Sequence, residues 1–317
     1  MILISGATGF VGSELRKELI KLGYSVRGTS KSTKRDGVHP VPLDTKDWTP
    51  VLKGVDTVIH CAALAHVESS GDEAFIRKVK EYNVNAPHRL AKQAKDQGVK
   101  RFIFLSSVKA LGESTPPRTP YTNRSEYLPE DLYGESKRDA ELALKKELSG
   151  SQTELVIIRP PLVYGPNVKG NFKALISLAN RNLPLPFGSV NNKRSLVALD
   201  NLVSLITKCV QHPTELNETF LVSDDYDVST NELLETLTRA QGKKPKLWSF
   251  PVSVMSLGAN MLGKKAIADR LFGNLQLDIS NTKQVLNWEP PLSFHQAIQN
   301  CIDSETTSGK LKNDQTT

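Results

Sequence analysis

Tyr133 and Lys137 stand four residues apart in the stretch "LYGESKRDAE", which begins at Leu132. Side chains at that spacing share one face of a helix. A phenol has an unperturbed pKa of about 10, and a nearby ammonium lowers it by stabilising the phenolate. The pair could therefore exchange a proton with a substrate hydroxyl at neutral pH. The same spacing also arises by chance in polar helices, so the surrounding elements must decide between the two interpretations.

Two serines, Ser106 and Ser107, end the apolar run "RFIFLSS" upstream of that pair. A serine at the end of a strand commonly caps the next turn. A hydroxyl in that place could also hydrogen-bond a substrate oxygen and stabilise a developing negative charge. The serines are candidates for chemistry only in combination with the tyrosine and the lysine.

Gly6, Gly9 and Gly12 follow the apolar run "ILIS" and open an amphipathic segment. Glycines there permit a tight turn and let backbone N–H groups approach a pyrophosphate, which the helix N-terminus also attracts. Three glycines can also merely shape a turn. In the order strand, turn, helix, the pattern favours dinucleotide binding.

The elements that must position these residues alternate along the first half of the chain. Apolar runs predict strands at 2–5, 25–30, 57–63, 101–107 and 154–160, and amphipathic patterns predict helices at 10–22, 73–97 and 132–149. This alternation indicates an α/β fold with a doubly wound parallel sheet. Beyond residue 160 prolines and glycines are dense, and a second α/β mixture follows. We expect a dinucleotide-binding domain over 1–160, to which part of 196–222 returns, a mainly substrate-binding domain over 161–303, and a disordered tail over 304–317.

Composition narrows the class of protein. The 317 residues carry 41 basic and 34 acidic side chains, a net charge of +7. This balance fits either an anionic ligand or a mildly basic solvated surface, and no basic block predicts nucleic-acid binding. Three scattered cysteines predict free thiols in the cytoplasm and offer no metal-binding spacing. No basic leader opens the chain, which argues against a signal peptide, and the apolar stretch 251–263 is too short to span a bilayer. That stretch predicts a core helix without membrane insertion.

The spacing Gly-x-x-Gly-x-x-Gly resembles the fingerprint of the extended short-chain dehydrogenase/reductases, the NAD-dependent epimerase/dehydratase family. The resemblance covers about residues 1–300 and implies a Rossmann-type sheet with a smaller C-terminal α/β substrate domain. It also implies cofactor-binding roles, for Asp44 at the adenine and for Asn85 in support of the fourth strand. The remaining positions that it assigns to the cofactor are Gly6, Gly9, Phe10, Val11, Gly12, Ala62, Ala63, Tyr133, Lys137 and Pro160.

The end of the second strand selects between NAD and NADP. NAD-selective relatives place an acid there to bind the ribose 2′-hydroxyl. Here Ser30 takes that place, and Lys31, Lys34 and Arg35 follow. Basic side chains could bind the 2′-phosphate of NADP(H), and no carboxylate stands there to repel it. The sequence therefore favours NADP(H), with NAD(H) as the alternative.

The family places its active serine five residues before a glycine, which here gives Ser107 and Gly112. The resemblance then implies a catalytic set of Ser107, Tyr133 and Lys137, in which Lys137 also holds the nicotinamide ribose. Dehydratases of the family carry an Asp-Glu pair just after the serine strand, but Val108-Lys109-Ala110 holds no carboxylate. Members that epimerise beside a keto group use an acid/base pair such as Cys and His, and this segment has no cysteine. What remains is hydride exchange at C4 of a sugar.

The second half resembles the family's substrate domain and implies a UDP-sugar substrate. Asn171 and Arg194 match positions at the diphosphate, as does Arg270, while Phe187 matches the wall of the uracil pocket. Paired guanidinium groups suit phosphate oxygens. Each arginine alone would be read as a surface residue.

Within the family, the stretches "SSVKALGE" and "LPLPFGSVNNKRSLV" resemble a bacterial branch that acts on UDP-N-acetylhexosamines for surface polysaccharide, including O-antigen. Leu162 and Ala65 replace polar residues of galactose-type epimerases, which suits a 6-deoxy-4-keto sugar. We therefore predict NADPH-dependent reduction of a UDP-4-keto-6-deoxy-N-acetylhexosamine, with a UDP-glucose or UDP-GlcNAc 4-epimerase that retains NAD as the alternative. A non-catalytic dinucleotide sensor is a remote third reading. By analogy, helices over 73–97 and 132–149 would form a homodimer.

Overall fold

The computed structural model describes residues 1–32, 36–65 and 72–313. In this part of the chain ten strands occur: β1 (Ile2–Ser5), β2 (Val26–Ser30), β3 (Val38–Pro40), β4 (Thr57–His60), β5 (Arg101–Leu105), β6 (Glu154–Arg159), β7 (Leu162–Tyr164), β8 (Arg194–Ala198), β9 (Thr219–Leu221) and β10 (Asp227–Val228).

Helices alternate with these strands in the first half and dominate the second. They are α1 (Phe10–Lys21), α2 (Thr49–Leu52), α3 (Glu73–Lys80), α4 (Ala86–Asp96), α5 (Leu132–Leu148), α6 (Gly170–Arg181), α7 (Leu199–Gln211), α8 (Thr230–Ala240), α9 (Val252–Met261), α10 (Lys265–Phe272), α11 (Ser280–Leu286) and α12 (Phe294–Asn313). A π-helical turn, Glu81–Asn85, joins α3 to α4, and a 3₁₀ turn, Val108–Ala110, follows β5.

Seven strands form one parallel sheet in the order β3-β2-β1-β4-β5-β6-β9. The chain winds outward from β1 in both directions, so the carboxyl ends of β1 and β4 lie side by side at the point where the direction reverses. A crevice at that place is where open α/β sheets bind ligands. The predicted α/β class with a doubly wound parallel sheet is confirmed.

Two apolar layers cover the sheet. On one face α1 and α7 contribute Leu15, Leu19, Leu202 and Ile206, and on the other face α4 and α5 contribute a second cluster that includes Leu90 and Leu144. All four residues of β1 are buried. Because the strands are covered on both sides, their apolar character is continuous rather than alternating.

A smaller sheet carries the second half of the molecule. In it β8 pairs parallel with β7 and antiparallel with β10. Its core includes Tyr164, Phe172, Leu196 and Phe294. Between these elements the chain returns to the large sheet, because β9 pairs in parallel with β6.

The disordered tail expected over 304–317 stays a prediction, because 314–317 lie outside the described residues. Helix α12 continues through Asn313. Its first turns are anchored by buried residues such as Ile298 and Ile302, and extending an existing helix needs no new nucleation. The predicted core helix at 251–263 corresponds to α9, and α9 has no buried residue. An apolar composition therefore does not mean burial there.

Candidate active site

The glycine turn connects β1 to α1 and is closely packed. Gly6 has a φ of +81°, which L-residues rarely adopt, and a Cβ on it would lie 2.8 Å from the Ala62 amide nitrogen. A Cβ on Gly12 would lie 2.2 Å from the Gly6 carbonyl oxygen. Because α1 begins at Phe10, the N–H groups of Phe10, Val11 and Gly12 have no acceptor within the helix. The turn thus presents donors at a helix N-terminus, and this cradle fits a dinucleotide pyrophosphate.

The strand end beside this turn is held by Asn83. Its Oδ1 accepts a hydrogen bond from the Leu64 N–H at 2.8 Å, and its Nδ2 donates to the Leu64 carbonyl at 3.1 Å and to Ser136 Oγ at 3.0 Å. Asn83 is 1% exposed. It therefore ties the segment after β4, which contains Ala62 and Ala63, to helix α5.

The prediction that Asn85 supports this strand is wrong. Asn85 Nδ2 donates to Glu81 Oε2 at 2.7 Å on its own helix. The sequence "YNVNAP" offers two asparagines, and the π-helical turn at Glu81–Asn85 changes which of them faces the sheet. A π-turn leaves no clear signal in a single sequence, which is why the sequence did not distinguish them.

The Asn83→Ala variant should therefore lose cofactor affinity by about tenfold or more and unfold at lower denaturant. It leaves the partly buried Leu64 backbone groups without the Asn83 side chain, which costs about 1 kcal/mol. Asn85→Ala is the matched control and should change cofactor affinity less than about twofold. Fluorescence titration with the nicotinamide nucleotide measures both, and equal losses in the two variants would contradict the assignment.

The structure describes only part of the nucleotide-selecting end of β2. Ser30 is 5% exposed, and Lys31 is exposed beside it. Lys34 and Arg35, two of the cations in that stretch, lie outside the described residues. Asp44 is exposed in the loop after β3, where Arg89 of α4 donates to the carbonyl of Thr45 at 3.2 Å. That loop follows the carboxyl end of a parallel strand, the same edge of the sheet as the glycine turn.

Ser107 stands between β5 and the 3₁₀ turn. Its backbone is extended, and its Oγ accepts a hydrogen bond from the Lys109 N–H at 3.2 Å. The next residue, Val108, donates its N–H to the Pro160 carbonyl at 2.9 Å, which joins the ends of β5 and β6. Pro160 is buried at this junction.

Helix α5 starts against the serine segment. The Asp131 carboxylate caps it by accepting from the Gly134 N–H at 2.7 Å, and Lys109 Nζ lies 2.5 Å from the other Asp131 oxygen. A Cβ on Gly134 would come within 2.4 Å of the Lys109 carbonyl oxygen. Glycine at this position therefore lets the first turn of α5, with Tyr133, lie directly on the segment that follows Ser107.

The surroundings of Tyr133 differ from the expectation of a more acidic phenol. Burial raises its pKa above the ordinary value, and the Asp131 carboxylate raises it further. The hydroxyl has no hydrogen-bond partner among the described residues, so it is available to a ligand. The chain alone thus keeps the phenol protonated, and a positive charge bound beside the ring would lower its pKa.

Lys137 is 2% exposed on the face of α5 that carries Tyr133. Its Nζ donates to the Leu105 carbonyl at 2.8 Å and lies 4.7 Å from the centre of the Phe104 ring and 5.8 Å from that of Tyr133. Burial lowers the pKa of Lys137 to about 8, although the Glu141 carboxylate opposes this shift. At neutral pH the ammonium therefore keeps its charge, as its predicted role requires.

A buried polar network lies beneath these residues. Glu141, one turn after Lys137 and 0% exposed, accepts hydrogen bonds from Arg159 Nη2 at 2.6 Å, from Ser106 Oγ at 2.5 Å and from the Tyr127 hydroxyl at 2.8 Å. It connects α5 to the ends of β5 and β6. Sequence reasoning missed this network, because a Glu on a polar helix and an Arg in a strand carry no signal that they are paired.

One of the predicted diphosphate arginines, Arg270, pairs with Glu113. Arg270 Nε lies 3.4 Å from Glu113 Oε2, and Lys109 Nζ lies 2.6 Å from Glu113 Oε1. Burial lowers the pKa of Arg194, the charge of Glu113 opposes this shift, and the charge of Arg270 adds to it. Arg194 Nη1 donates to the Gly273 carbonyl at 3.0 Å. The sequence did not predict the two acidic residues, Glu113 and Asp131, that balance these cations.

The other predicted substrate residues are less closely gathered. The Phe187 ring packs against Phe272 with centroids 6.1 Å apart, at the end of the same helix that carries Arg270. Asn171 is exposed at the start of α6, and its neighbour Phe172 stacks on Tyr164 in the core. No cluster of three or more His, Cys, Asp or Glu side chains suited to a metal occurs in the described part of the chain.

Comparison with known proteins decides the family. Residues 2–223 match the profile of the NAD dependent epimerase/dehydratase family. The chain belongs to this family. It is also 44% identical over 308 residues to a UDP-glucose 4-epimerase of Vibrio cholerae, a match that covers 94% of this chain and 93% of that one. Membership of the epimerase/dehydratase family, an NAD-dependent enzyme family, confirms the predicted resemblance.

Two solved structures share the fold of this epimerase/dehydratase family member. One is a UDP-glucuronic acid 4-epimerase from Bacillus cereus in complex with NAD, with a TM-score of 0.78 and 18% identity over 97% of this chain and 99% of that one. The other is a UDP-glucose 4-epimerase from Thermotoga maritima with UDP-glucose, with a TM-score of 0.76 and 20% identity over the same shares of the two chains. These likenesses confirm the Rossmann-like α/β fold with a C-terminal domain.

Proposed function

We propose that this chain transfers hydride at C4 of a UDP-sugar and acts as a UDP-sugar 4-epimerase. The observation that supports the proposal is the position of Lys137, whose Nζ lies 2.8 Å from the Leu105 carbonyl at the end of β5 and 5.8 Å from the centre of the Tyr133 ring, where Ser107 follows the strand. The relative that is 44% identical over nearly the full length is named a UDP-glucose 4-epimerase, which supports C4 as the reacting carbon.

The chemistry assigned to the chain is proton transfer and positioning. Tyr133 takes the proton of the C4 hydroxyl as hydride leaves that carbon, and it returns the proton when hydride comes back to the other face. Lys137 holds a positive charge near the phenol and favours the phenolate. Ser107 donates a hydrogen bond to the same sugar oxygen, which stabilises the charge that develops on it. A bound nicotinamide dinucleotide supplies the group that accepts and returns hydride.

The Lys109 ion pairs support hydride chemistry at C4 over dehydration. Glu113 and Asp131 lie near the 3₁₀ turn, but both carboxylates bind Lys109. Burial alone would raise the pKa of Asp131, yet hydrogen bonds from Lys109 and Gly134 outweigh it and lower that pKa. An acid that is held ionised in an ion pair is a poor proton donor for eliminating water.

A panel of UDP-hexoses and UDP-N-acetylhexosamines, incubated with the enzyme and either nucleotide, tests this function. Proton NMR should show the C4 epimer of one pair accumulating to equilibrium without net change in the absorbance of the reduced cofactor. Accumulation of a product one water lighter by mass would assign the site to a dehydratase instead.

A second candidate is NADPH-dependent reduction of a UDP-4-keto-6-deoxy-N-acetylhexosamine. The observation that favours it is Ser30 followed by Lys31 at the end of β2, where NAD-selective enzymes carry an acid. The catalytic residues keep the same roles, except that the proton is given once. Stoichiometric loss of NADPH with a 4-keto sugar would establish this candidate.

The same end of β2 leads us to propose a preference for NADP(H). Lys31→Ala should weaken NADP(H) binding by about tenfold, because one charge-assisted contact to the 2′-phosphate is lost, and should leave NAD(H) binding unchanged. Lys21→Ala, at the far end of α1, is the matched surface control. Calorimetric titration of both nucleotides measures the effect. Wild-type binding of NAD(H) at least about tenfold tighter than NADP(H) would contradict the proposal.

We also propose that the enzyme works as a homodimer in the cytoplasm. The outer faces of α3 and α5 leave Ile76 and Leu142 exposed, at 42% and 48%, and helices presenting apolar side chains can pair with a second copy. Cys61, Cys209 and Cys301 are free thiols, which suits a reducing compartment.

A further inference from the structure

Large apolar side chains are exposed on and next to the helical hairpin that α9 and α10 form. We define the hairpin surface by six exposed residues: Trp248 (48%), Val254 (51%), Leu257 (62%), Met261 (81%), Leu262 (75%) and Ile267 (53%). Soluble surfaces carry scattered apolar residues, and a concentration of them within one short segment of the chain favours an interaction site.

The apolar side chains of α9 follow a helical pattern. Val254, Leu257 and Met261 stand at i, i+3 and i+7, which places them on one face. No residue of α9 is buried, although α9 packs against α10. The apolar face of α9 therefore has no role in the core, and no catalytic side chain lies on it.

The segment that carries this surface is basic. Residues 240–275 hold six basic side chains and one acidic one, Asp269, for a net charge of +5. The whole chain has +7 from 41 basic and 34 acidic residues, so the other 281 residues hold 35 and 33 and contribute only +2. The basic residues of the hairpin region are Lys243, Lys244, Lys246, Lys264, Lys265 and Arg270.

We propose that the hairpin surface docks this enzyme on an anionic lipid bilayer. An apolar helix face with lysines beside it lies in the interfacial layer, its apolar side chains among the upper acyl chains and its ammonium groups at the headgroups. Trp248 is an amphipathic side chain of the kind that collects at this depth. The docking is peripheral, because no helix in the described part of the chain is long and apolar enough to cross a membrane.

Charge favours a bilayer over a second copy of the chain as the occupant. A symmetric dimer through this surface would bring the same patch of each copy together, and so place the exposed Lys264 and Lys265 of one copy near those of the other. Like charges facing each other oppose association, whereas an anionic leaflet attracts these exposed lysines.

The hairpin borders the candidate site. Arg270 lies on α10 and its Nε approaches Glu113 Oε2 at 3.4 Å, so the hairpin is continuous with the region assigned to the diphosphate. The proposal stands independently of which reaction the site performs, since it concerns the outer face of the hairpin.

Vesicle co-sedimentation of the full chain tests the proposal. Wild-type protein should pellet with phosphatidylethanolamine–phosphatidylglycerol vesicles, at least about tenfold more than with phosphatidylcholine vesicles, and added salt should release it. Leu257→Ser with Met261→Ser, and separately Lys264→Glu with Lys265→Glu, should each lower that binding by at least about tenfold. Leu22→Ser with Lys21→Glu changes the same residue types at the C-terminal end of α1 and should bind as wild type does. All of these variants should keep wild-type activity without vesicles, because the changed side chains are exposed and outside the site.

Tryptophan fluorescence gives an independent readout. Trp48 and Trp288 are buried, at 0% and 6% exposure, while Trp248 is 48% exposed. Vesicle binding should therefore shift the emission of Trp248 to shorter wavelength, and Trp248→Phe should abolish the shift. Absence of wild-type binding to anionic vesicles at low salt would overturn the proposal, as would unchanged binding of both hairpin variants. So would a wild-type dimer that the hairpin changes dissociate and that does not bind vesicles.

Discussion

The Tyr133→Phe variant should turn over its UDP-sugar about 10²–10⁴-fold more slowly than wild type, because it removes the group that exchanges the proton with the C4 hydroxyl. Its affinity for the nicotinamide nucleotide should change little, since the ring and the charge of Lys137 remain. Its unfolding should also be unaffected, because the hydroxyl has no partner among the described residues. Steady-state kinetics, nucleotide titration and thermal unfolding measure the three quantities.

Tyr24→Phe provides the control for the loss of a phenol. Tyr24 is partly buried just before β2, at the opposite edge of the sheet from the candidate site, and its removal should leave the turnover number unchanged. A Tyr133→Phe enzyme with more than about a tenth of wild-type activity would show that another group moves the proton.

Removing one partner of the Glu141–Arg159 pair should produce the largest loss of stability. Arg159→Met leaves a carboxylate of 0% exposure without its guanidinium, which costs about 3–5 kcal/mol. Glu141→Gln leaves the guanidinium similarly unpaired and should lose a comparable amount. The double variant should lose clearly less than the sum of the two single ones, because neither charge is then left alone. Urea unfolding midpoints and slopes measure the series.

Arg77→Met is the matched control for this series. Arg77 pairs with Glu73 at 3.1 Å, but the two side chains are 71% and 85% exposed. Pairs of this kind contribute about 0–1 kcal/mol, so the unfolding free energy should barely change. Additive losses at Glu141 and Arg159 would show that the two act separately and would contradict the network.

The large sheet could be predicted from the sequence because each strand is short, apolar and followed by a turn. The runs at 2–5, 101–107 and 154–160 contain β1, β5 and β6, and the predicted helix at 132–149 is α5. These elements are buried on both faces or amphipathic, so local pattern and tertiary position agree. The glycine spacing also located the turn correctly. Only glycine fits at Gly6 and Gly12, because a Cβ on either residue would meet backbone atoms.

Local sequence patterns failed to predict the contacts and the burial that depend on tertiary packing. Asn83 and Asn85 are both asparagines of one short segment, and only a π-turn directs the first toward Leu64. Glu141 and Arg159 are paired across an element boundary that no spacing rule reports. The stretch at 251–263 is apolar enough for a core, yet no residue of α9 is buried, although α9 packs against α10. Those are properties of long-range packing, which a local window does not contain.

The isotopic fate of C4 tests the central claim most directly. A UDP-sugar carrying deuterium at C4, incubated with wild-type enzyme and nucleotide until part of it has converted, should give a C4 epimer that keeps its deuterium at C4. That result follows if hydride leaves C4 and returns to it while Tyr133 handles only the hydroxyl proton. A product that has exchanged its C4 deuterium for solvent hydrogen would contradict the account, because the carbon would then have lost a proton rather than a hydride.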